Sequence, residues 1–134
     1  MESPGEHHWV LLDHRVTQLA FDTESVRLHT WALDGSTELR VAAPFSLRTA
    51  AGGGRLHDPD DTAALAPVLA LLRRRLTALT ITRAGELTAD FEGGLALEVP
   101  PSPRRSAWEL QGGGALEGVV YRCPVGGGVP WEGV

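Results

Sequence analysis

The chain has 134 residues and a mass of 14.3 kDa, room for one domain with a core of its own and too little for two ordinary ones. Hydrophobic residues make up 43% and charged residues 22%, which excludes a disordered or fibrous chain. A formal net charge of −5 lacks the electrostatic footprint of a nucleic-acid binder, so no nucleic-acid partner is expected.

The first eight residues have no cationic head before an apolar run, so they read as a frayed end rather than a secretory signal, and the expected location is cytoplasmic. From residue 16 the pattern has period two, and Asp34-Gly35 between two alternating runs is a hairpin signal. Residues 16–42 are therefore predicted as a three-stranded antiparallel meander.

Asp58-Pro59-Asp60-Asp61 then supplies a cap and first-turn acids, and Leu65, Val68, Leu69, Leu72 and Leu76 recur at helical spacing. This predicts a helix over 60–74. Pro67 falls inside it, at a cost of roughly 3 kcal/mol unless the helix bends or restarts there. Arg73-Arg74-Arg75 falls at its end, where cations complement exposed carbonyls. The apolar run Ala63–Leu72 is shorter than the about 20 residues that span a bilayer, so no membrane partner is expected.

Alternation returns over 76–99, a second meander, with turns at Ala84-Gly85 and Gly93-Gly94. The two meanders read as copies of one pattern. Val16-Thr17-Gln18-Leu19 matches Leu76-Thr77-Ala78-Leu79, Leu28 matches Leu87, and Leu39-Arg40-Val41 matches Leu97-Glu98-Val99. Pro100-Pro101-Ser102-Pro103 then turns the chain, since proline cannot donate to a ladder, and short strands follow within 107–122. The fold expected is a single α+β domain over 1–134: two antiparallel three-stranded meanders, a pseudo-repeat, packed with one central helix and completed by short C-terminal strands.

Chemistry is sparse. All twelve basic residues are Arg, and Lys and Asn are absent, which removes a Schiff-base lysine, a phosphate-loop lysine and N-glycosylation. The single Cys123 removes an internal disulfide and has no histidine or second cysteine beside it in sequence. No histidine pair has a metalloprotease spacing, no nucleophile elbow is present, and none of the three glycine triplets leads into Lys-Ser/Thr or a clear helix start. No catalytic residue, metal site or cofactor is assigned.

Four of the eight aromatic residues are Trp, which suits core edges and binding surfaces alike. Trp108, inside a strand, is expected in the core. Trp31 and Trp131, with Arg27, Arg40 and Arg48, are the candidate binding residues, on the expectation that an aromatic and arginines share one exposed face. An alternative site, a pocket between sheet and helix, would use His29, His57 and Asp58.

Arg15-Val16-Thr17, Asp34-Gly35 followed by Pro44-Phe45, Leu56-His57-Asp58-Pro59, Arg75-Leu76-Thr77, Leu97-Glu98-Val99-Pro100, Ala107-Trp108-Glu109-Leu110 and the glycine-rich tail resemble small actinobacterial proteins of unknown function, from about Trp9 to Trp131. The resemblance implies the architecture and a bacterial origin, which the Ala/Gly/Arg/Leu-rich composition also fits, and carries no catalytic residues. The chain is also similar in style to immunity proteins of bacterial toxin systems, which are small, acidic and often α+β. The expected function is recognition of another protein, as an immunity-type inhibitor, without catalysis. A small-ligand or enzyme domain using the alternative pocket and a structural homodimer are the other two readings.

Overall fold

The structure is a computed structural model that describes residues 6–33, 35–49, 54–59, 62–112 and 120–130, without the side chains of residues 12, 54–57 and 62–64. Ten strands form one antiparallel sheet: β1 (Glu6–Phe21), β2 (Val26–Ala32), β3 (Gly35–Val41), β4 (Phe45–Arg48), β5 (Gly54–His57), β6 (Arg75–Thr82), β7 (Leu87–Phe91), β8 (Leu95–Val99), β9 (Trp108–Gly112) and β10 (Val120–Arg122). Their order across the sheet is β10-β9-β3-β2-β1-β6-β7-β8-β4-β5.

The α+β expectation is overturned. Between β5 and β6 the chain forms not a central α-helix over 60–74 but a 3-10 helix, Thr62–Leu71. Pro67 lies within it and has no N–H to give to an α-helical ladder. Leu65, Val68 and Leu71 are the residues it buries. A spacing of three matches three residues per turn, and leaves Leu69 and Leu72 facing water. The helix ends at Leu71, Arg73 beyond it takes the left-handed region at φ 74°, and Arg75 already belongs to β6. Arg74 alone of the arginine triplet donates to a carbonyl of the helix, from Nε to Ala70 O at 2.8 Å. At the other end of the chain, residues 6–8, expected to fray, begin β1: His8 Nδ1 lies 2.8 Å from Thr80 Oγ1 across the β1–β6 pair.

The register exposes a duplication of five strands, not three. β1 and β6 run antiparallel at the centre, with Arg15 opposite Arg75. Each carries an irregularity at the same place, between Val16 and Gln18 where β1 pairs β2, and between Leu76 and Ala78 where β6 pairs β7. Among the described residues the two non-glycine residues with positive φ, Asp13 and Arg73, are sixty positions apart, the offset of the two central strands. One sequence match needs shifting: Leu28 pairs Leu39 as Ala89 pairs Leu97, so Ala89, not Leu87, is the counterpart of Leu28.

The last two strands of each unit are exchanged. After β3 and after β8 the chain meets Pro44 and Pro100, which cannot donate to a ladder, and it leaves its own half. β4 then pairs β8, and β9 pairs β3, each carrying its own partner, β5 or β10, as an edge. Leu39 opposite Leu110 and Leu97 opposite Leu47 are the equivalent inward pairs.

The sheet curls over its own inner face. β9 and β6 are four places apart in strand order, about 19 Å in a flat sheet. Yet Trp108 Nε1 donates to Gly85 O, in the β6–β7 turn, at 2.9 Å. Tyr121 on β10 likewise stacks against His7 and Trp9 of β1, with ring centroids 5.5 and 6.0 Å apart. One apolar cluster results, drawing Val16, Leu28, Leu39, Trp108 and Leu110 from one half and Leu76, Ile81, Phe91, Leu97 and Phe45 from the other. Gly85 is required where the layers meet: its φ is 98°, and a Cβ would stand 3.0 Å from Gly128 O and 3.2 Å from Cys123 Sγ.

Candidate binding face

In β2 exposure alternates strictly: Val26, Leu28, Thr30 and Ala32 point into the core, while Arg27, His29 and Trp31 face outward. Register extends these outward positions into rows. Ala20, Arg27, Arg40, Glu109 and Arg122 lie side by side across β1, β2, β3, β9 and β10. The next row is Gln18, His29, Glu38, Gln111 and Val120, and a third holds Ser36, Trp31, Arg15 and Arg75. Cross-strand partners of this kind stand ~5 Å apart at Cβ, near enough for long side chains to act together.

Arg27, Glu38, Arg40, Glu109 and Gln111 line a shallow groove of about 310 Å³. Both charges are present and interleaved, with Arg40 directly opposite Glu109. Arg27 is oriented from the β1–β2 turn, its Nη2 3.6 Å from Asp22 Oδ2. The Asp22 carboxylate accepts from the Ser25 hydroxyl at 2.7 Å and from the Glu24 and Ser25 amides at 2.9 and 2.7 Å. Those bonds, the hydroxyl first, lower its pKa from 3.8 to about 2. Trp31 borders the same face and is 55% exposed, the opposite of Trp108, which is wholly buried.

Of the residues singled out in the sequence, Arg27, Arg40, Trp31 and His29 thus share one face. Arg48 does not: it lies on β4, its Nη1 3.2 Å from Glu98 Oε1, in the other half of the sheet. Trp131 lies outside the described residues, as does the side chain of His57, whose backbone closes β5 opposite Phe45. The alternative trio is not gathered. His29, expected in a pocket between sheet and helix, lies on the outer face with Nδ1 3.4 Å from Thr17 Oγ1. Asp58, expected beside it, lines a cleft of about 370 Å³ between Ala42–Pro44 and Pro100–Arg105. The 3-10 helix presses Leu65, Val68 and Leu71 into the core where that pocket was expected.

Sequence reading missed Arg15, Glu38, Glu109, Gln111 and Arg122. Their signal was the alternation itself, but pairing β3 with β9 instead of β4 is a long-range choice that local patterning does not encode. Burial pushes the Cys123 thiol up, against the smaller opposing effect of a hydrogen bond from the Ala107 backbone, and its Sγ lies 3.3 Å from Gly85 O. Among the described residues no three His, Cys, Asp or Glu side chains gather as a metal site, and no helix is long and apolar enough to cross a membrane.

Residues 8–130 match the model of a Family of unknown function (DUF6188), and the chain belongs to that family. No curated protein and no solved structure matches the chain.

Proposed function

We propose that this protein is a binding module without catalysis of its own, which recognises another protein through the outer face of β2, β3 and β9. One observation carries the reading: a half-exposed Trp31 shares the outer face, one row away, with a groove in which Arg27 and Arg40 interleave with Glu38 and Glu109. Trp and Arg are the residues whose burial most often dominates a protein interface, and interleaved charges select a partner by complementarity. An immunity-type inhibitor that masks a toxin is the form of the reading that a small acidic chain favours. The Ala107-Trp108-Glu109-Leu110 segment and the Lys-free, Asn-free composition support an actinobacterial source, and the single Cys123 suits a cytoplasmic setting.

The test is affinity purification of the full chain from its native host, with the wild type run beside Arg27→Glu/Arg40→Glu, Trp31→Ala and Arg48→Glu. A stoichiometric protein that accompanies the wild type and Arg48→Glu, and is lost from the other two, supports the face. A partner retained equally by all four removes it, and a co-purifying small molecule in place of a protein replaces the reading altogether.

A further inference from the structure

The duplication supplies an internal control for one part of the surface. The register makes Asp13, Arg15 and Trp31 the counterparts of Arg73, Arg75 and Glu92. Two acids adjoin Arg75: Asp13 Oδ1 lies 3.7 Å from its guanidinium Nε, and Glu92 Oε1 accepts from its backbone N–H at 3.0 Å. Around Arg15 both acids are replaced. Arg73 stands where Asp13 stands and Trp31 where Glu92 stands, and Arg15 Nη1 donates only to the Arg73 carbonyl, at 3.1 Å.

The Arg75 guanidinium therefore has Asp13 as an ion-pair partner and Glu92 at its backbone, whereas Arg15, directly opposite it, has Arg73 and Trp31 at the equivalent positions. Among the described residues no carboxylate lies within ion-pair reach of Arg15 or Arg73, in a chain whose net charge is −5. The backbone adds a second asymmetry. Both counterparts sit at left-handed φ, 56° for Asp13 and 74° for Arg73, a conformation that Asp adopts more readily than Arg. The second cation is thus held at some local cost. Between the two guanidiniums, Val16, Thr17 and Leu72 complete a groove of about 510 Å³.

We propose that this groove takes the carboxylates of an acidic segment of the partner protein, paired with Arg15 and Arg73 and flanked by Trp31 and Leu72. Charge complementarity selects the occupant, since guanidinium groups bind carboxylates in paired, directional hydrogen bonds. The inference rests on the protein-binding reading in taking its ligand from the partner.

The experiment is an NMR titration of the full chain with hexaglutamate, following arginine side-chain Nε–H and tryptophan indole signals. Saturating shifts at Arg15, Arg73 and Trp31 are expected, together with at least a tenfold loss of affinity in Arg73→Asp. That variant restores the twin's acid at a position whose backbone suits it, so it folds. Absence of shifts in the wild type, or equal affinity in Arg73→Asp, overturns the proposal. Inorganic phosphate binding as tightly as hexaglutamate also overturns it, by making a free phosphate the ligand. Arg48→Glu, on β4 in the other half of the sheet, leaves Arg15 and Arg73 in place and should keep hexaglutamate affinity within twofold. If Arg27→Glu/Arg40→Glu keeps its partner in the purification while hexaglutamate binds the wild type, the face fails and this site stands; if the partner is lost from that variant while hexaglutamate never bound the wild type, the site fails and the face stands.

Discussion

Asp22 shows how one short turn sets the charge on the outer face of β2. Its depressed pKa arises first from the Ser25 hydroxyl, so Ser25→Ala should raise the Asp22 midpoint toward the ordinary carboxylate range, as read by carboxyl carbon NMR. An unchanged midpoint would assign the effect to the backbone amides. Because the folded-state value lies below the unfolded one, the stability linked to this carboxylate is present above the ordinary carboxylate range and disappears as pH falls through about 2. Protonation also releases Arg27 from its anchor. In the core, Thr30 and Thr37 lie opposite each other on β2 and β3, both essentially inaccessible, with Oγ1 atoms that have no hydrogen-bond partner among the described residues. An unmet buried hydroxyl costs more than the methyl that would replace it. Thr30→Val/Thr37→Val should therefore gain about 1–2 kcal/mol and melt several degrees higher in calorimetry. A loss of stability would show instead that a buried water serves both hydroxyls.

At the scale of elements, the strands follow from alternation and the hairpins from turn chemistry, whereas the central segment resisted reading. Leu65, Val68, Leu69, Leu72 and Leu76 fit a period of 3.6, and the same stretch fits a period of three through Leu65, Val68 and Leu71. Composition cannot choose between these periods over so few turns. Burial does, because Leu71 is wholly inaccessible while Leu69 is 54% exposed. Alanine substitution separates them: Leu71→Ala should cost about 2–5 kcal/mol by leaving a cavity in the shared core. Leu69→Ala should change stability by no more than about 0.5 kcal/mol. Urea denaturation of the two variants measures both, and the reverse ranking would restore an α-helical phase to the segment. The same scale explains the candidate face. Arg27 and Trp31 were legible as sharing a face because they alternate within one strand, whereas His29 between them was expected in a pocket, and their association with Glu109 and Gln111 depends on a strand about eighty residues further along.

For the whole molecule, the repeat was visible in the sequence as two meanders, but its completion was not. Residues 45–48 fall outside both predicted meanders, and nothing local says that they pair β8 rather than β3. That choice is made by closure. If β4 and β5 stayed with their own meander, each half would keep its own edges and bury one side of a five-stranded sheet against nothing. Exchange lets β9 cover the edge of β3, and β4 the edge of β8, so each half borrows two strands from the other. With β9 held against β3, Trp108 reaches back to Gly85 of its own repeat and ties the two sides of the sheet together. Separate unfolding of either half would strip the other of a paired edge and of part of its core, so the intermediate with one half folded should be too costly to populate. Denaturant transitions followed by tryptophan fluorescence and by far-ultraviolet circular dichroism should accordingly coincide, with one midpoint and one slope. Trp108→Phe, which removes the Nε1 bond to Gly85 O, should move that midpoint down by the equivalent of about 1–3 kcal/mol without splitting the transition. Two resolved transitions in either protein would mean that the halves fold independently and that the exchanged strands are appended to finished domains.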